Sequence, residues 1–596
     1  MKRVLCLILS LLVLFVLLVF FEPNARTWVS DLLLLYRSNI DRERGIMMPM
    51  RDSTKLRTNI YLPADDSEVV FPTILIRNTY SAFPFDTAKW LVSNGYAVVE
   101  QFVRGRHGSE GEYSPHRYSG SDGYDTVDWI VKQPWSDGKI GSFGCSYLGE
   151  TQVILGAERH PNHIAMIADA AGGAIGKAKN SFAYFGFYEN GVLNLASTLG
   201  WFSRYGAIND SYEEPVGEFE KRLAKVITEL PVIALASKIV PDHKTQFEAF
   251  VSHSLSDSWW EDEGYISNDD QFSVATLHVN TWFDQGVQGS FLLAELMQEN
   301  ASHVRAKKQH LLIGPGNHCS SGKLSGDTVR IGDMAIEYEP INYNKIYLDW
   351  FDHWLKDKPV PLPPKISYFD IHGDKWQSAD LWPPADVEQL SFFLKSGNSL
   401  SLEPLSQTSS LGYDYNPLDP VPTLGGSICC TGDSQEISGA VDQRVILERK
   451  DVLSFISEPL TKSLDVAGTP LMRLYVSTSA KDTDFTVKLI DQYPDGTAYN
   501  LIDSVGRLRY REGFDKPKLA EAGKVYEIDI ELKPMSYRIR KGHRLGVMVS
   551  SSNFPRLARN LNTGEREYFS KNYVVAHNQV YFGGEVSSRL FLPVTR

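Results

Sequence analysis

The chain of 596 residues carries 43% hydrophobic and 22% charged residues, the balance of an ordinary globular protein of two or three domains. Its 73 acidic residues outnumber 60 basic ones for a formal net charge of -13, which excludes nucleic acid as a main partner because phosphate binding needs a basic face. The five cysteines contain no C-x-x-C spacing, so no zinc ribbon or thioredoxin-type site is expected; no disulfide framework is implied, since the neighbouring Cys429 and Cys430 would pair only under strain.

In chain order, Lys2 and Arg3 precede residues 4–21, an apolar run in which Ser10 is the only clearly polar residue. At ~1.5 Å rise per residue such a helix just crosses a bilayer. Small residues are lacking before any cut site near Phe20-Phe21-Glu22-Pro23, so residues 1–24 read as an uncleaved signal anchor. Lys2 and Arg3 then stay cytoplasmic, the membrane becomes a partner, and the catalytic domains are extracytoplasmic. Secretion after signal cleavage is the alternative. A second apolar piece, residues 28–36, is too short to span and is expected on the membrane surface or over the next domain.

Over residues 40–385 strands alternate with helices. Apolar runs predict strands at 58–62, 72–76, 96–99, 164–168, 275–279 and 310–313. Helices are expected at 88–93, 122–132 and 289–298. This pattern predicts a mainly parallel sheet covered by helices, with the active site at the strand C-termini. The glycine-rich loop 104–111 has neither a G-K-[ST] nor a G-x-G-x-x-G pattern, so no phosphate site is read there. Residues 172–271 have little strand character, and helices are expected at 219–229 and 243–251. This insertion reads as a cap that shapes the pocket, or as a packing appendage with Trp259 and Trp260 as its core. After Trp382-Pro383-Pro384 the alternation stops. Short β-type runs at 390–394, 471–477, 485–490, 525–532 and 544–549 make residues 386–596 an all-β sandwich.

One stretch carries the chemistry: Gly144-Cys145-Ser146-Tyr147-Leu148-Gly149, between a predicted strand and a helix-compatible run. A strand that turns sharply into a helix at a serine makes a nucleophile elbow, whose general form is G-x-S-x-G. Here Leu148 fills the second glycine's place and Gly149 follows one residue late. Gly144 gives room where a side chain would collide with the helix. A serine hydroxyl needs a histidine base within ~3 Å and an acid to orient that histidine. In this architecture the order is Ser, acid, His. Asp284 and His318 each follow a predicted strand in that order, downstream of Ser146. Asp169 competes as the acid, and His310, which begins a strand, reads as structural. Cys145 and Cys319 each adjoin a candidate catalytic residue. The oxyanion needs donors: the Tyr147 N–H is one, and Tyr80, after the 72–76 strand, lies where the fold places the second.

With these residues placed, the chain resembles the cocaine-esterase-like (CocE/NonD) family of serine hydrolases, related to X-Pro dipeptidyl-peptidases and cephalosporin acylases. The resemblance spans most of the chain after about residue 45. It rests on the order of Met50-Arg51-Asp52, Arg77-Asn78-Thr79-Tyr80, Arg104-Gly105, Asp125-Thr126-Val127-Asp128-Trp129, and Gln133-Pro134-Trp135. It continues through Gly144-x-Ser146-Tyr147-x-Gly149, Trp282-Phe283-Asp284, Gly314-Pro315 before His318, Asp482-Thr483-Asp484-Phe485, and Ser552-Asn553-Phe554-Pro555-Arg556. The family's elbow is G-x-S-Y-x-G, which accounts for the late glycine. The resemblance implies an α/β-hydrolase core with a helical cap and a C-terminal jelly roll. It also implies a triad of Ser146, Asp284 and His318, and an oxyanion hole of the Tyr80 hydroxyl and the Tyr147 N–H. The chain departs from the family at Phe102, where an aspartate is usual, and at Gly316, where an aromatic is common; both bear on pocket shape.

The expected activity is hydrolysis of an ester, or an amide, of a small acyl substrate through an acyl-enzyme, with no cofactor or metal required. Esterase is favoured over peptidase because Asp and Glu are absent from 172–188, leaving only Glu189 beyond to bind a substrate ammonium. The alternatives are X-Pro dipeptidyl-peptidase or acylase activity, or an exported binding protein whose β-sandwich holds carbohydrate.

Overall fold

The computed structural model describes residues 40–64, 70–81, 85–208, 216–431 and 438–596. The segment read as a signal anchor, residues 1–24, and the apolar piece at 28–36 lie outside these. Among the described residues no helix is long and apolar enough to cross a membrane. A helical anchor needs about 20 apolar residues in one helix, so the membrane as partner and the membrane-anchored localisation are corrected and withdrawn.

A ten-stranded sheet organises the first part of the chain. Its strands are β1 (Ile40–Pro49), β2 (Lys55–Pro63), β3 (Phe71–Asn78), β4 (Ala97–Phe102), β5 (Ser136–Cys145), β6 (His163–Asp169), β7 (Ala275–Phe283), β8 (Gln309–Asn317), β9 (Ile366–Asp370) and β10 (Lys375–Ala379). Their spatial order is β1-β2-β4-β3-β5-β6-β7-β8-β9-β10. From β4 to β9 neighbouring strands run parallel, and β1, β2 and β10 pair antiparallel at the two edges. The central strands are continuous apolar runs because both faces are covered: Ile74, Leu75, Ile76 and all of β7 are buried.

The helices of this part are α1 (Phe85–Ser93), α2 (Ser119–Ile130), α3 (Tyr147–Ala157), α4 (Leu195–Tyr205), α5 (Val216–Val226), α6 (Leu235–Ile239), α7 (Phe247–Ser252), α8 (Val287–Glu299) and α9 (Tyr343–Leu355). Helix α3 is buried on nearly every side. Its polar residues must therefore find partners within the protein. Thr151 Oγ1 and Gln152 Nε2 both donate to the Leu148 carbonyl, at 3.0 and 2.8 Å. Glu150 instead points away from the helix into the cavity beside Ser146.

Helices α4 to α7 are inserted between β6 and β7. Trp260 is buried, donates to the Ser254 carbonyl at 2.8 Å and stacks on Tyr184, while Trp259 stacks on His253. Trp260 thus belongs to a core the insertion shares with the α/β sheet, and the partly buried Trp259 packs against it. A different residue, Trp201 of α4, faces the cavity. The insertion is thus both a packing unit and a pocket wall. From Val387–Lys395 to Arg589–Thr595 the chain forms a second, 13-stranded sheet. The whole is an N-terminal α/β core with helical insertions and a C-terminal, mostly β part.

Candidate active site

Strand β5 ends at Cys145 and α3 starts at Tyr147, so Ser146 alone makes the turn, with φ 60° and ψ -132°. Side-chain-bearing residues rarely hold this conformation, and surrounding packing must enforce it. A Cβ at Gly144 would lie 2.4 Å from Leu148 Cβ, and one at Gly149 would lie 2.8 Å from the Asp169 carbonyl. Both glycines are therefore dictated by contact, and Gly149 marks where α3 presses on the end of β6. The Ser146 N–H donates to the Asp169 carbonyl at 2.9 Å; its own carbonyl accepts from Gly149 and Glu150. The Tyr147 N–H, in the first turn of α3, has no intrahelical acceptor by its position.

Asp284 follows β7 by one residue and His318 follows β8 by one residue, so the parallel neighbours β7 and β8 carry them to the same edge as Ser146. His318 Nε2 lies 2.9 Å from Ser146 Oγ, and His318 Nδ1 hydrogen-bonds Asp284 Oδ2. Asp284 is fully buried, and its Oδ1 accepts the Gly286 N–H at 2.5 Å. With Nδ1–H donating to the carboxylate, Nε2 presents its lone pair to the serine hydroxyl. Burial disfavours the imidazolium, but the Asp284 carboxylate outweighs it and raises the His318 pKa above its usual value.

Asp169 does not reach His318; it accepts from Ser321 Oγ at 3.0 Å, and burial pushes it up to about 7. His310 Nδ1 faces the Pro363 carbonyl at 3.0 Å, a structural contact. At Gly316 the backbone has φ 118°, and a Cβ there would meet Ser320 Oγ at 2.3 Å. That hydroxyl accepts the Asn317 N–H at 2.9 Å and shapes the turn carrying His318. Phe102 is buried and packs on His107, whose Nε2 lies 3.0 Å from the Thr79 carbonyl, next to Tyr80.

The Tyr80 hydroxyl accepts from Trp201 Nε1 at 3.3 Å. Burial pushes this phenol up, so it stays protonated and able to donate. Its loop is held from behind: the Tyr80 N–H donates to Asn78 Oδ1 at 2.8 Å, and Asn78 Nδ2 donates to the buried Glu100 at 3.2 Å.

Three features escaped the sequence reading. The first is a disulfide between Cys145 and Cys319, with Cα atoms 6.0 Å apart, joining the residue before Ser146 to the residue after His318. A second disulfide joins Cys429 to Cys430. The reading that no disulfide framework is implied is thus corrected: 174 residues separate the first pair, and only the succession of β5, β6, β7 and β8 in the sheet brings them together. The third feature is Glu150. It lines the cavity with Ser146, Asp284, His318, Phe185, Phe187 and Trp201, while Cys429 and Cys430 of the β-rich part close it. Free space beside Ser146 amounts to only about 20 Å³. A second cavity of about 260 Å³ adjoins it across Gly186, Gln285 and Gly286.

Glu150 Oε2 lies 2.8 Å from His116 Nε2. Burial, and then Asp284, push the Glu150 carboxyl well above its usual range; burial and Arg77 push His116 down to about 3. The two form an uncharged pair. A Cβ on Gly173 would sit 2.3 Å from Glu150 Oε1, so that glycine makes room for the carboxyl. The available signal was a lone carboxyl on α3, whose other polar residues, Thr151 and Gln152, are neutral and bond to the helix's own backbone. By contrast Glu189 is spent: it binds Lys533 Nζ and Arg556 Nη1, at 2.9 and 2.8 Å.

An elbow serine, a histidine at hydrogen-bonding distance and a buried acid at the C-terminal edge of a parallel sheet define a serine hydrolase of the α/β type. Residues 52–320 match the X-Pro dipeptidyl-peptidase (S15) family, and residues 360–591 match the X-Pro dipeptidyl-peptidase C-terminal non-catalytic domain. The chain is 33% identical over 587 residues to the cocaine esterase of Rhodococcus sp. (strain MB1 Bresler), covering 93% of this chain and 98% of that one. Among solved structures it is similar to an aminopeptidase from a marine sediment Thaumarchaeota archaeon (26% identity, TM-score 0.80). It is also similar to an α-amino acid ester hydrolase (25% identity, TM-score 0.78); in both cases 94% of this chain and 97% of the other are covered. The chain belongs to the CocE/NonD-type serine hydrolase family, related to the S15 peptidases, and acts on ester or amide bonds through an acyl-enzyme.

Proposed function

We propose that Ser146 is the nucleophile, His318 the general base and acid, and Asp284 the acid that orients it, and that the preferred substrates are aminoacyl esters or amides with a free amino group. Ser146 Oγ attacks the acyl carbon while His318 Nε2 takes its proton. The Tyr80 hydroxyl and the Tyr147 N–H donate to the oxyanion, where charge develops. His318 then protonates the leaving alcohol or amine, and a water attacks the acyl-enzyme by the same route in reverse.

The observation that carries the substrate class is Glu150. It is a carboxyl in the serine's own cavity, partnered by a neutral histidine and, among the described residues, by no cation. A substrate amine entering there takes the Glu150 proton and gains a charge-assisted hydrogen bond, while the bulk of the substrate extends into the adjoining cavity. Two of the similar solved structures bear names that point the same way, an aminopeptidase and an α-amino acid ester hydrolase. A charge-assisted bond is worth roughly 1.5–3 kcal/mol, or about 10- to 100-fold in kcat/KM. The test compares p-nitrophenyl esters and p-nitroanilides of small amino acids, Pro-containing dipeptidyl amides included, with their N-acetylated forms. Free-amine substrates are expected to be preferred by that factor, and Glu150→Gln to abolish the preference. Equal rates for acetylated substrates would instead support a second reading, an esterase of neutral aromatic acyl groups, to which the Phe185, Phe187 and Trp201 walls are also suited.

A further inference from the structure

Cys429 and Cys430 come from the β-rich part of the chain, yet they face the base of a site built by the α/β core. Ligand atoms of His318, Cys429 and Cys430 all lie within 4.8 Å of one another. Their positions are held from outside the cavity. The Cys429 N–H donates to Ser197 Oγ of α4 at 3.3 Å. Gly200 of the same helix lets the Cys430 carbonyl approach so closely that a Cβ would stand 2.3 Å from it. Cys430 has φ 66°, a conformation that side-chain-bearing residues take only when packing demands it. Two sulfurs and an imidazole nitrogen form the donor set that selects thiophilic cations over magnesium or calcium. Ligand atoms on one tetrahedral zinc stand about 3.6–3.8 Å apart, given bonds of about 2.3 Å to sulfur and 2.0–2.1 Å to nitrogen.

We propose that, once the Cys429–Cys430 bond is opened, Cys429, Cys430 and His318 bind a divalent thiophilic cation of the zinc or cadmium type, and that this ion silences Ser146. Opening needs a reductant. A water-soluble phosphine attacks one sulfur and breaks the S–S bond, and water then releases two thiols and the phosphine oxide. The cation displaces the two thiol protons. His318 Nδ1 is committed to Asp284, so Nε2 is the third donor. The lone pair that would accept the Ser146 proton is then engaged by the metal. Binding itself stands apart from the hydrolase mechanism; the silencing rests on it.

The test uses full-length protein, oxidised or phosphine-reduced, with Cd²⁺ as the probe. One readout is the ultraviolet thiolate-to-cadmium absorption. The other is the rate of fluorophosphonate labelling of Ser146, relative to the same preparation without metal. Reduced wild-type protein is expected to develop the absorption at one equivalent and to label at least about 100-fold more slowly, the scale of losing a general base. Oxidised protein, and a reduced Cys429→Ser/Cys430→Ser variant that still carries the Cys145 and Cys319 thiols, should do neither. Absorption of equal strength in the double variant, or none in the reduced wild type, overturns the site. Absorption without slower labelling overturns His318 as a ligand. If metal-free protein never labels at Ser146, the hydrolase mechanism fails while the absorption still reports on the cation site.

Discussion

His318 sits between a fully buried carboxylate and the serine hydroxyl, and its protonation governs the pH range of the proposed mechanism. Its pKa is raised because Asp284 outweighs the burial penalty. The base must be neutral to work, so kcat/KM should fall as pH drops through a value above the ordinary histidine pKa of about 6.5. Replacing Asp284 with Asn removes the charge that raises it. The acid limb should then move to lower pH, while kcat falls by about 10³–10⁴-fold because the wrong tautomer is held. A pH–rate profile of the Asp284→Asn variant whose acid limb stays in place would rule out this coupling. At this scale much of the constellation was legible, because Asp284 and His318 each stand one residue past a buried strand. Glu150 was not, because acidic residues were sought in the segment after β6. Periodicity gives no direction for a helix buried on nearly every side, so the lone carboxyl on α3 was visible in the sequence but the cavity it faces was not.

At the scale of elements, the elbow and the His318 turn sit at the ends of β5 and β8, two strands not adjacent in the sheet, and the Cys145–Cys319 disulfide ties them directly. Closing so long a loop stabilises the fold by restricting the unfolded chain, typically by about 2–4 kcal/mol. Its position gives it a second consequence, since both sulfurs are one residue from the Ser146–His318 contact. A misplacement of about 1 Å there costs about 100-fold in rate. A Cys145→Ala/Cys319→Ala variant, assayed well below its melting temperature, should therefore lose about 10- to 100-fold in kcat with little change in KM. A lower melting temperature with unchanged kcat would make the bond a purely structural clamp. The core strands were readable as apolar runs, but the predicted ends fell short. Residues 72–76 became Phe71–Asn78, and 275–279 became Ala275–Phe283. Four of the seven missing residues, Arg77, Asn78, Asn280 and Thr281, are buried and polar, satisfied by partners 10 to 36 residues away. The edge strand β1 was missed because its outward residues are charged; α9 was missed although its buried residues, Tyr343, Tyr347, Trp350, Phe351 and Leu355, recur at helical spacing.

For the whole molecule, the active site depends on the β-rich part seating correctly on the inserted helices, and a buried charge cluster fixes that seat. Arg556, in one of the motifs behind the family resemblance, is almost wholly buried and binds Glu189 Oε2 at 2.8 Å, Asn194 Oδ1 at 3.2 Å and Asp503 Oδ1 at 2.7 Å. Lys533 joins at Glu189. Burial alone would raise the Glu189 pKa, but Arg556 and Lys533 outweigh it and hold it down to about 2. A depressed carboxylate contributes stability in full above its unfolded pKa, about 4.3 for glutamate, and loses it as pH falls toward the folded value. Removing Arg556 leaves Asp503 and Glu189 short of a buried counter-charge, which costs about 3–5 kcal/mol. An Arg556→Met variant should show that loss in urea unfolding at pH 7. The difference from wild type should narrow as pH is lowered from about 4.3 toward 2, because wild-type Glu189 progressively loses its stabilising charge as pH approaches its folded value. The same variant should also lose labelling at Ser146 before it unfolds, since Asn194 leads into α4, which bears Trp201 and the contacts to Cys429 and Cys430. Unfolding and loss of labelling at the same urea concentration would mean that the two parts separate only when the whole chain does, and that the seat has no local effect on the pocket.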